Sequence, residues 1–155
     1  MRDRAITQQT SAALPLSAEL ARAAPEPQAA RVARFSGALQ WGLPKGLVEA
    51  GEEVAHAATR EATEETGLEV EALERLPTID YWYVDSERSA RVHKFVHWFL
   101  MRPTGGDPTA HDFETEEVAS LDPEEAVARA SFRSERGVIR GAVEAWQARR
   151  GTAEA

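Results

Sequence analysis

The sequence predicts a protein of the α+β class, because helical and strand patterns occupy separate stretches of one chain. Residues 53–66 contain neither Pro nor Gly, are rich in Ala and precede Gly67, as is typical of a helix with a C-terminal cap. Residues 79–84 and 92–101 are aromatic and β-branched, and a polar segment separates them, which predicts a β-hairpin. With 155 residues and no Cys, the chain is long enough to form one domain without disulfides.

The expected organisation is a disordered N-terminus at residues 1–10, one domain at 11–150 and a tail at 151–155. The longest apolar run, 95–101, is too short to cross a bilayer, and residues 1–12 lack the apolar centre of a signal peptide. We therefore expect a cytoplasmic protein without a membrane partner. A net charge of −8 argues against polymeric nucleic acid as a partner but permits a small polyphosphate, because a metal and local cations can reverse the field at one site.

Two candidate strands lie in the N-terminal part of the chain. Apolar and polar residues alternate over 14–20, which favours a strand, whereas the composition of 17–24 favours a helix. The Pro-containing segment 24–27 predicts a turn. Residues 30–35 form the second candidate strand, with Arg and Ala where aliphatic residues would be expected.

The C-terminal third of the chain predicts a loop and two helices. Two Pro and two Gly at 103–108 indicate the loop, and the acidic stretch 112–117 follows it. Asp122 and Pro123 are typical of the start of a short helix. Ser134 is expected to cap a last helix, whose apolar face consists of Val138, Ile139, Ala142, Val143 and Trp146.

Three glutamates of the first predicted helix lie on the side that faces the protein. At about 100° per residue, Glu61, Glu64 and Glu65 fall within one arc. The apolar residues in or beside that arc are Val54, Ala57 and Ala58. Like charges at these spacings repel, and an apolar flank raises the cost of ionising them, so a cation is expected among them. Carboxylates without Cys or an adjacent His favour Mg²⁺ or Mn²⁺. The alternative is a solvated acidic helix face.

The segment from Gly46 to Leu68 carries a known signature. Its fixed residues, in order and spacing, are Gly46, Glu52, Arg60-Glu61, Glu64-Glu65 and Gly67-Leu68, so the chain resembles the Nudix hydrolases. The preceding residues 41–45 also resemble many family members, whereas Ala62 is smaller than the aliphatic residue usual at its position. The resemblance implies an α/β/α sandwich around a central mixed β-sheet and favours a strand at 14–20.

The resemblance also implies the roles of the signature residues. Glu61, Glu64 and Glu65 are expected to bind the metal and act in catalysis, with the main-chain carbonyl of Gly46 as a further ligand. Arg60 is expected to orient Glu61.

Arg60 is further expected to pair with Glu52 and so to fix the loop onto the helix. The alternative for Glu52 is a plain acid at the start of a helix.

The family usually supplies one more carboxylate from a distant segment, as a metal ligand or as the base. We predict Glu117 for this role, because it directly precedes the strand-like Val118, and Glu114 and Glu116 are the alternatives. An acidic loop that is only solvated is the other interpretation.

A local excess of cations indicates a surface for phosphates. Residues 88–106 contain no acid but hold Arg88, Arg91, His93, Lys94, His97 and Arg102. We predict Lys45, Arg91 and Lys94 as phosphate-binding residues, and Tyr81 and Tyr83 as side chains that stack on a base. The alternatives are a hairpin edge kept soluble by its charges and an aromatic strand that belongs to the core.

The expected function is Mg²⁺-dependent (or Mn²⁺-dependent) hydrolysis of a nucleoside diphosphate linked to another group. Dinucleoside polyphosphates or inositol polyphosphates are the preferred substrates, and ADP-ribose, nucleotide sugars and oxidised nucleoside triphosphates are the alternatives. A domain that binds a nucleotide without catalysis is a different class, against which the three repelling carboxylates argue. Both a monomer and a homodimer fit the sequence.

Overall fold

The structure is a computed structural model that describes residues 5–15, 29–34, 40–110 and 115–153. The strands are β1 (Ala5–Pro15), β2 (Ala29–Arg34), β3 (Gln40–Gly42), β4 (Lys45–Leu47), β5 (Leu68–Arg75), β6 (Ile79–Asp85), β7 (Ala90–Gly106) and β8 (Thr115–Leu121). The α-helices are α1 (Val54–Thr66), α2 (Pro123–Arg129) and α3 (Arg133–Ala153), and a short 3₁₀ helix spans Pro108–Ala110. No helix in this part of the chain is long and apolar enough to cross a membrane.

The strands form a five-stranded mixed sheet and a three-stranded sheet. The larger sheet has the order β4-β1-β7-β5, and β6 pairs with the N-terminal half of β7. Strand β1 runs parallel to β7, and the other pairs are antiparallel. The smaller sheet has the order β3-β2-β8 and is antiparallel. The predicted α+β class with a mixed sheet is confirmed. The sequence did not predict that β2, β3 and β8 form a separate, smaller sheet.

Strand β7 is covered on both faces, as its nearly continuous apolar sequence predicts. Phe99 and Met101 pack against α1, whereas Trp98 and Leu100 pack in the cluster that contains the apolar face of α3. Because successive side chains of a strand point to opposite faces, α1 and α3 lie on opposite sides of the sheet. This layering is the predicted α/β/α sandwich.

The helix ends follow the sequence signals with one exception. Gly67 ends α1 in the left-handed conformation (φ 74°), and its N–H donates to the Thr63 carbonyl (2.8 Å). The Asp122 side chain caps α2 by accepting from the Glu125 N–H (3.0 Å). The predicted cap at Ser134 is wrong: α3 begins at Arg133, because the Phe132 carbonyl already accepts from the N–H of Arg136 (3.3 Å).

The N-terminal strands differ from the predicted positions. Strand β1 covers 5–15 and therefore includes residues 5–10, which were expected to be disordered. Residues 5–10 make six of the eleven consecutive pairings between β1 and β7, so tertiary pairing outweighs the polar composition of this segment. Of the strand expected at 14–20, residues 16–20 lie outside the described residues, and β2 begins one residue earlier than expected.

Candidate active site

The loop that precedes α1 meets the helix at Gly46. We call residues 43–53 the box loop. A Cβ atom at Gly46 would overlap the carboxyl group of Glu61, so a larger residue would displace that side chain. The N–H of Lys45 donates to Oε2 of Glu65 (3.0 Å), whose side chain is buried. Two of the three predicted carboxylates therefore lie directly against the backbone of β4.

Arg60 fastens the box loop to α1. Its Nε and Nη2 atoms donate to the two oxygens of Glu52 at 2.8 and 2.9 Å, and Nη2 also donates to the Leu47 carbonyl (3.0 Å). This two-point hydrogen bond, with a smaller contribution from the N–H of Glu49, lowers the pKa of Glu52 to about 2. The Glu52 carboxylate in turn raises the pKa of Arg60 above its ordinary value. The predicted Arg60–Glu52 pair is thus present.

The same guanidinium reaches the remaining carboxylates of the helix. Nη1 of Arg60 lies 2.9 Å from Oε1 of Glu61 and 3.3 Å from Oε2 of Glu64. Glu64 is half-exposed, whereas Glu61 is mostly covered. Arg60 is therefore a cation among these repelling charges.

The donor chemistry of this helix face suits a hard divalent ion, although its side chains do not converge on one point. Within the described ranges 5–15, 29–34, 40–110 and 115–153, no group of three or more His, Asp or Glu side chains comes close enough together to hold a metal. The hydrogen bonds account for this, since Arg60 engages Glu61 and Glu64, and Glu65 turns to Lys45. The candidate metal ligands on this helix face and at Gly46 are all carboxylate or carbonyl oxygens, which Mg²⁺ and Mn²⁺ prefer.

Two of the three candidates for the distant carboxylate lie in β8. Glu116 and Glu117 belong to this strand, and the backbone of Glu117 pairs with Ala33 of β2. Glu114 lies outside the described residues. The assignment of Glu117 stays a prediction.

A cleft of about 570 Å³ adjoins the box loop, a volume typical of small-molecule sites. Tyr81, Phe132 and the stem of Lys45 line it above an apolar floor of Ile79, Val96 and Trp98. Nζ of Lys45 lies 5.1 Å from the centre of the Phe132 ring and 3.7 Å from Oε1 of Glu135. The cleft thus combines partly exposed aromatic rings with a cation at its wall.

The predicted substrate-binding residues of the hairpin divide between its two faces. Lys94 pairs with Tyr81 in the register and lies over its ring (5.9 Å), and Tyr83 is 6.2 Å from Tyr81. These three side chains share the face of the cleft, because paired residues of antiparallel strands point to the same side. Arg91 lies over Trp82 (5.0 Å) on the opposite face. The role of Arg91 in substrate binding stays a prediction, and its position on the face away from the cleft argues against that role.

The sequence did not identify Phe132 and Glu135 as residues of a functional site, although both line the cleft. Phe132 precedes α3 and falls outside the helix pattern. Glu135 was indistinguishable from an ordinary acid in the first turn of a helix. A signal was nevertheless present: Glu135 lies in phase with Val138, Ile139 and Ala142, so a carboxylate continues the apolar stripe of α3.

Comparisons with known proteins agree with this arrangement. The family model for the NUDIX domain matches residues 27–140. The chain is 45% identical over 100 residues to "Putative mutator protein MutT4" of Mycobacterium tuberculosis, a match that covers 64% of this chain and 40% of the relative. It is 39% identical over 79 residues to "Nudix hydrolase 10" of Arabidopsis thaliana, with 49% of this chain and 26% of the relative covered. The chain thus spans less than half of either relative's length.

Solved structures share the fold at low sequence identity. A C. elegans Ap4A hydrolase in a binary complex superposes with a TM-score of 0.70 at 19% identity, covering 91% of this chain and 98% of the other. A NUDIX hydrolase from Nitrosomonas europaea superposes with a TM-score of 0.62 at 20% identity, covering 87% of each chain.

Proposed function

The chain belongs to the Nudix family, and on that premise we propose that it hydrolyses a phosphoanhydride bond of a nucleotide with Mg²⁺ or Mn²⁺ as cofactor. The observation that carries this proposal is the contact between the box loop and α1. Glu61 and Glu65 lie against Gly46 and the Lys45 N–H, next to a cleft of suitable size for a nucleotide. This arrangement supports a substrate whose nucleoside lies in the cleft and whose phosphate chain extends toward these carboxylates.

Each residue has a distinct task in this proposal. Glu61, Glu64 and Glu65, with the Gly46 carbonyl, would hold the divalent ion, which when bound neutralises charge on the phosphate oxygens. Arg60 fixes the box loop onto α1 through Glu52 and the Leu47 carbonyl, and it also contacts Glu61. Glu117 is the proposed further ligand or general base.

Two lysines are the proposed partners of the phosphate chain. The ammonium of Lys45 stands at the wall of the cleft, and that of Lys94 lies beside Tyr81. Both attract anions in a protein whose net charge would otherwise repel them.

The lining of the cleft supports a substrate with a nucleobase. Tyr81 and Phe132 are each about two-fifths exposed, and the floor between them is apolar. Aromatic side chains of this kind stack on bases, whereas an inositol polyphosphate would need cations around most of its ring. We therefore place dinucleoside polyphosphates first and inositol polyphosphates after them, with ADP-ribose, nucleotide sugars and nucleoside triphosphates as alternatives. Solved structures with a similar fold include an Ap4A hydrolase and an ADP-ribose pyrophosphatase.

The experiment is a substrate panel with and without metal. Diadenosine tetraphosphate, ADP-ribose, a nucleotide sugar, dGTP, 8-oxo-dGTP and an inositol pyrophosphate are each incubated with Mg²⁺, with Mn²⁺ and with EDTA, and the products are separated by ion-exchange chromatography. We expect metal-dependent cleavage, fastest with the dinucleoside, and none in EDTA. Nucleotide binding by calorimetry without turnover of any compound would instead indicate a binding module.

A further inference from the structure

We propose that Glu135 is a positioning residue, which fixes the ammonium group of Lys45 in the cleft and so sets the affinity for substrate phosphate. This inference rests on the proposed function. It concerns a carboxylate that the family signature does not contain and that lies 74 residues after Glu61 in the sequence.

The burial of Glu135 is the first observation. Its side chain is only 2% exposed, although it stands in the first turn of α3 at the edge of the cleft. A buried carboxylate is costly unless it is paired and hydrogen-bonded. Oε1 accepts a hydrogen bond from the Leu43 N–H (3.3 Å) and faces Nζ of Lys45 at 3.7 Å. The carboxylate also packs against Gly42, where an added Cβ would lie 3.4 Å from Oε2.

The second observation is that Lys45 is held at both ends. Its N–H donates to Glu65 of α1, and its ammonium lies 3.7 Å from Oε1 of Glu135 and 5.1 Å from the centre of the Phe132 ring. One residue therefore connects a proposed metal ligand with the cleft. Lys has a flexible four-carbon stem with several rotamers, so an ammonium without a fixed partner spreads over many positions. Glu135 is a buried partner that keeps the charge where a phosphate can meet it.

The test separates the charge of Glu135 from its hydrogen bond to the loop. Glu135→Gln keeps the size and an acceptor for the Leu43 N–H but removes the charge, and Lys45→Met keeps the stem but removes the ammonium. We expect Glu135→Gln to raise KM for diadenosine tetraphosphate by about tenfold, which corresponds to about 1.4 kcal/mol, and to leave kcat within about twofold. In the Lys45→Met background the same change should have no further effect on KM, because the two residues act as one unit.

A matched control is Glu144→Gln, which neutralises an exposed acid on the same helix and should change neither constant. Three outcomes would overturn the inference: an unchanged or lower KM in Glu135→Gln, the same factor in the Lys45→Met background, or a fall in kcat alone.

A second measurement does not depend on turnover. Lys45→Met leaves a buried carboxylate without its ammonium, so its melting temperature should fall, and adding Glu135→Gln should recover most of the loss. Calorimetry with ADP then gives Kd for each variant, and Glu135→Gln should weaken binding in the wild-type background only. If the wild-type protein cleaves none of the panel substrates, the proposed function fails. The comparison of the single and double variants by ADP affinity and by melting temperature still tests the role of Glu135. Additive effects of the two substitutions in both measurements would refute that role.

Discussion

The junction of the box loop with α1 and the wall of the cleft contrast in how their contacts are encoded. At the junction, the functional groups lie within 23 residues, from Gly46 to Leu68, and their spacing along one helix determines which of them meet. At the cleft, the groups come from β4, β6, β7 and the start of α3, up to 90 residues apart along the chain, as between Lys45 and Glu135. The junction is a local structure, whereas the cleft exists only after the sheet and α3 have packed.

This difference predicts different consequences of mutation. Changes at the junction alter the carboxylates that a metal would need, so they should act on kcat. Changes in the cleft wall alter how the substrate is held, so they should act mainly on KM.

The largest effect is expected from Glu65→Gln. The amide oxygen can still accept from the Lys45 N–H, so the loop keeps its position while the negative charge is lost. We expect kcat for the best panel substrate to fall by about 100-fold or more, with a melting temperature close to that of the wild type. Glu53→Gln, at the exposed start of the same helix, is the control and should retain full activity. Normal turnover in Glu65→Gln would remove this side chain from the catalytic step.

Gly46→Ala should lower kcat by about tenfold or more. The new methyl group would occupy the space of the Glu61 carboxyl, so either that side chain or the backbone of β4 must move. Gly137→Ala is the control, because a Cβ there meets nothing within 4 Å and replaces Gly inside a helix. It should raise stability by about 0.5–1 kcal/mol in chemical denaturation without an effect on kcat. Equal activity of the two variants would show that the Gly46–Glu61 contact is unimportant for turnover.

The same contrast explains how much the sequence could predict. The Arg60–Glu52 pair and the contact of Arg60 with Glu61 follow from the signature, because one helix and one short loop fix their geometry. Period 2 along β6 and β7 predicts that Lys94 and Arg91 point to opposite faces, but it does not reveal which face carries the cleft. That information depends on Phe132 and Glu135, whose proximity to Lys45 results from tertiary packing.

The N-terminal part of the fold shows the same limit. The polar sequence of β1 has little strand character of its own, and its long parallel pairing with β7 determines its structure. By contrast, Gly67 and Asp122 are local signals for a helix end and a helix start, and the structure confirms both positions.

Phe132→Ala tests the role of the cleft wall in substrate binding. Loss of a stacking surface costs about 1–3 kcal/mol in other base-binding sites, so KM for a nucleotide should rise by about tenfold while kcat changes little. Val84→Ala removes an exposed apolar side chain from the opposite face of the hairpin and serves as the control. A large fall in kcat without a change in KM would place Phe132 in the catalytic step instead.

The smallest effect concerns the pH dependence of stability through His97. The pKa of His97 is lowered below its ordinary value of 6.5, mainly by burial and to a smaller extent by the charge of Arg75. Nδ1 of His97 accepts a hydrogen bond from Arg75 (2.7 Å). Below pH 6.5 the unfolded chain therefore binds more protons at this site than the folded one, so acidification favours unfolding. When the pH is lowered from 7.5 to 5.5, the melting temperature should fall less in His97→Gln than in the wild type. His56→Gln, an exposed position on α1, should match the wild type; equal losses in all three proteins would contradict the prediction.

The binding of Mn²⁺ to the folded protein, monitored through the electron paramagnetic resonance signal of the free ion, tests most directly whether this face of α1 is a metal site. We expect saturable binding by the wild type and by Glu53→Gln. We expect affinities at least about tenfold weaker in Glu61→Gln, Glu64→Gln and Glu65→Gln, because each variant loses one charged oxygen ligand from α1. Equal Mn²⁺ affinity in all five proteins, or no binding by the wild type, would contradict the claim that this face of α1 is a metal site.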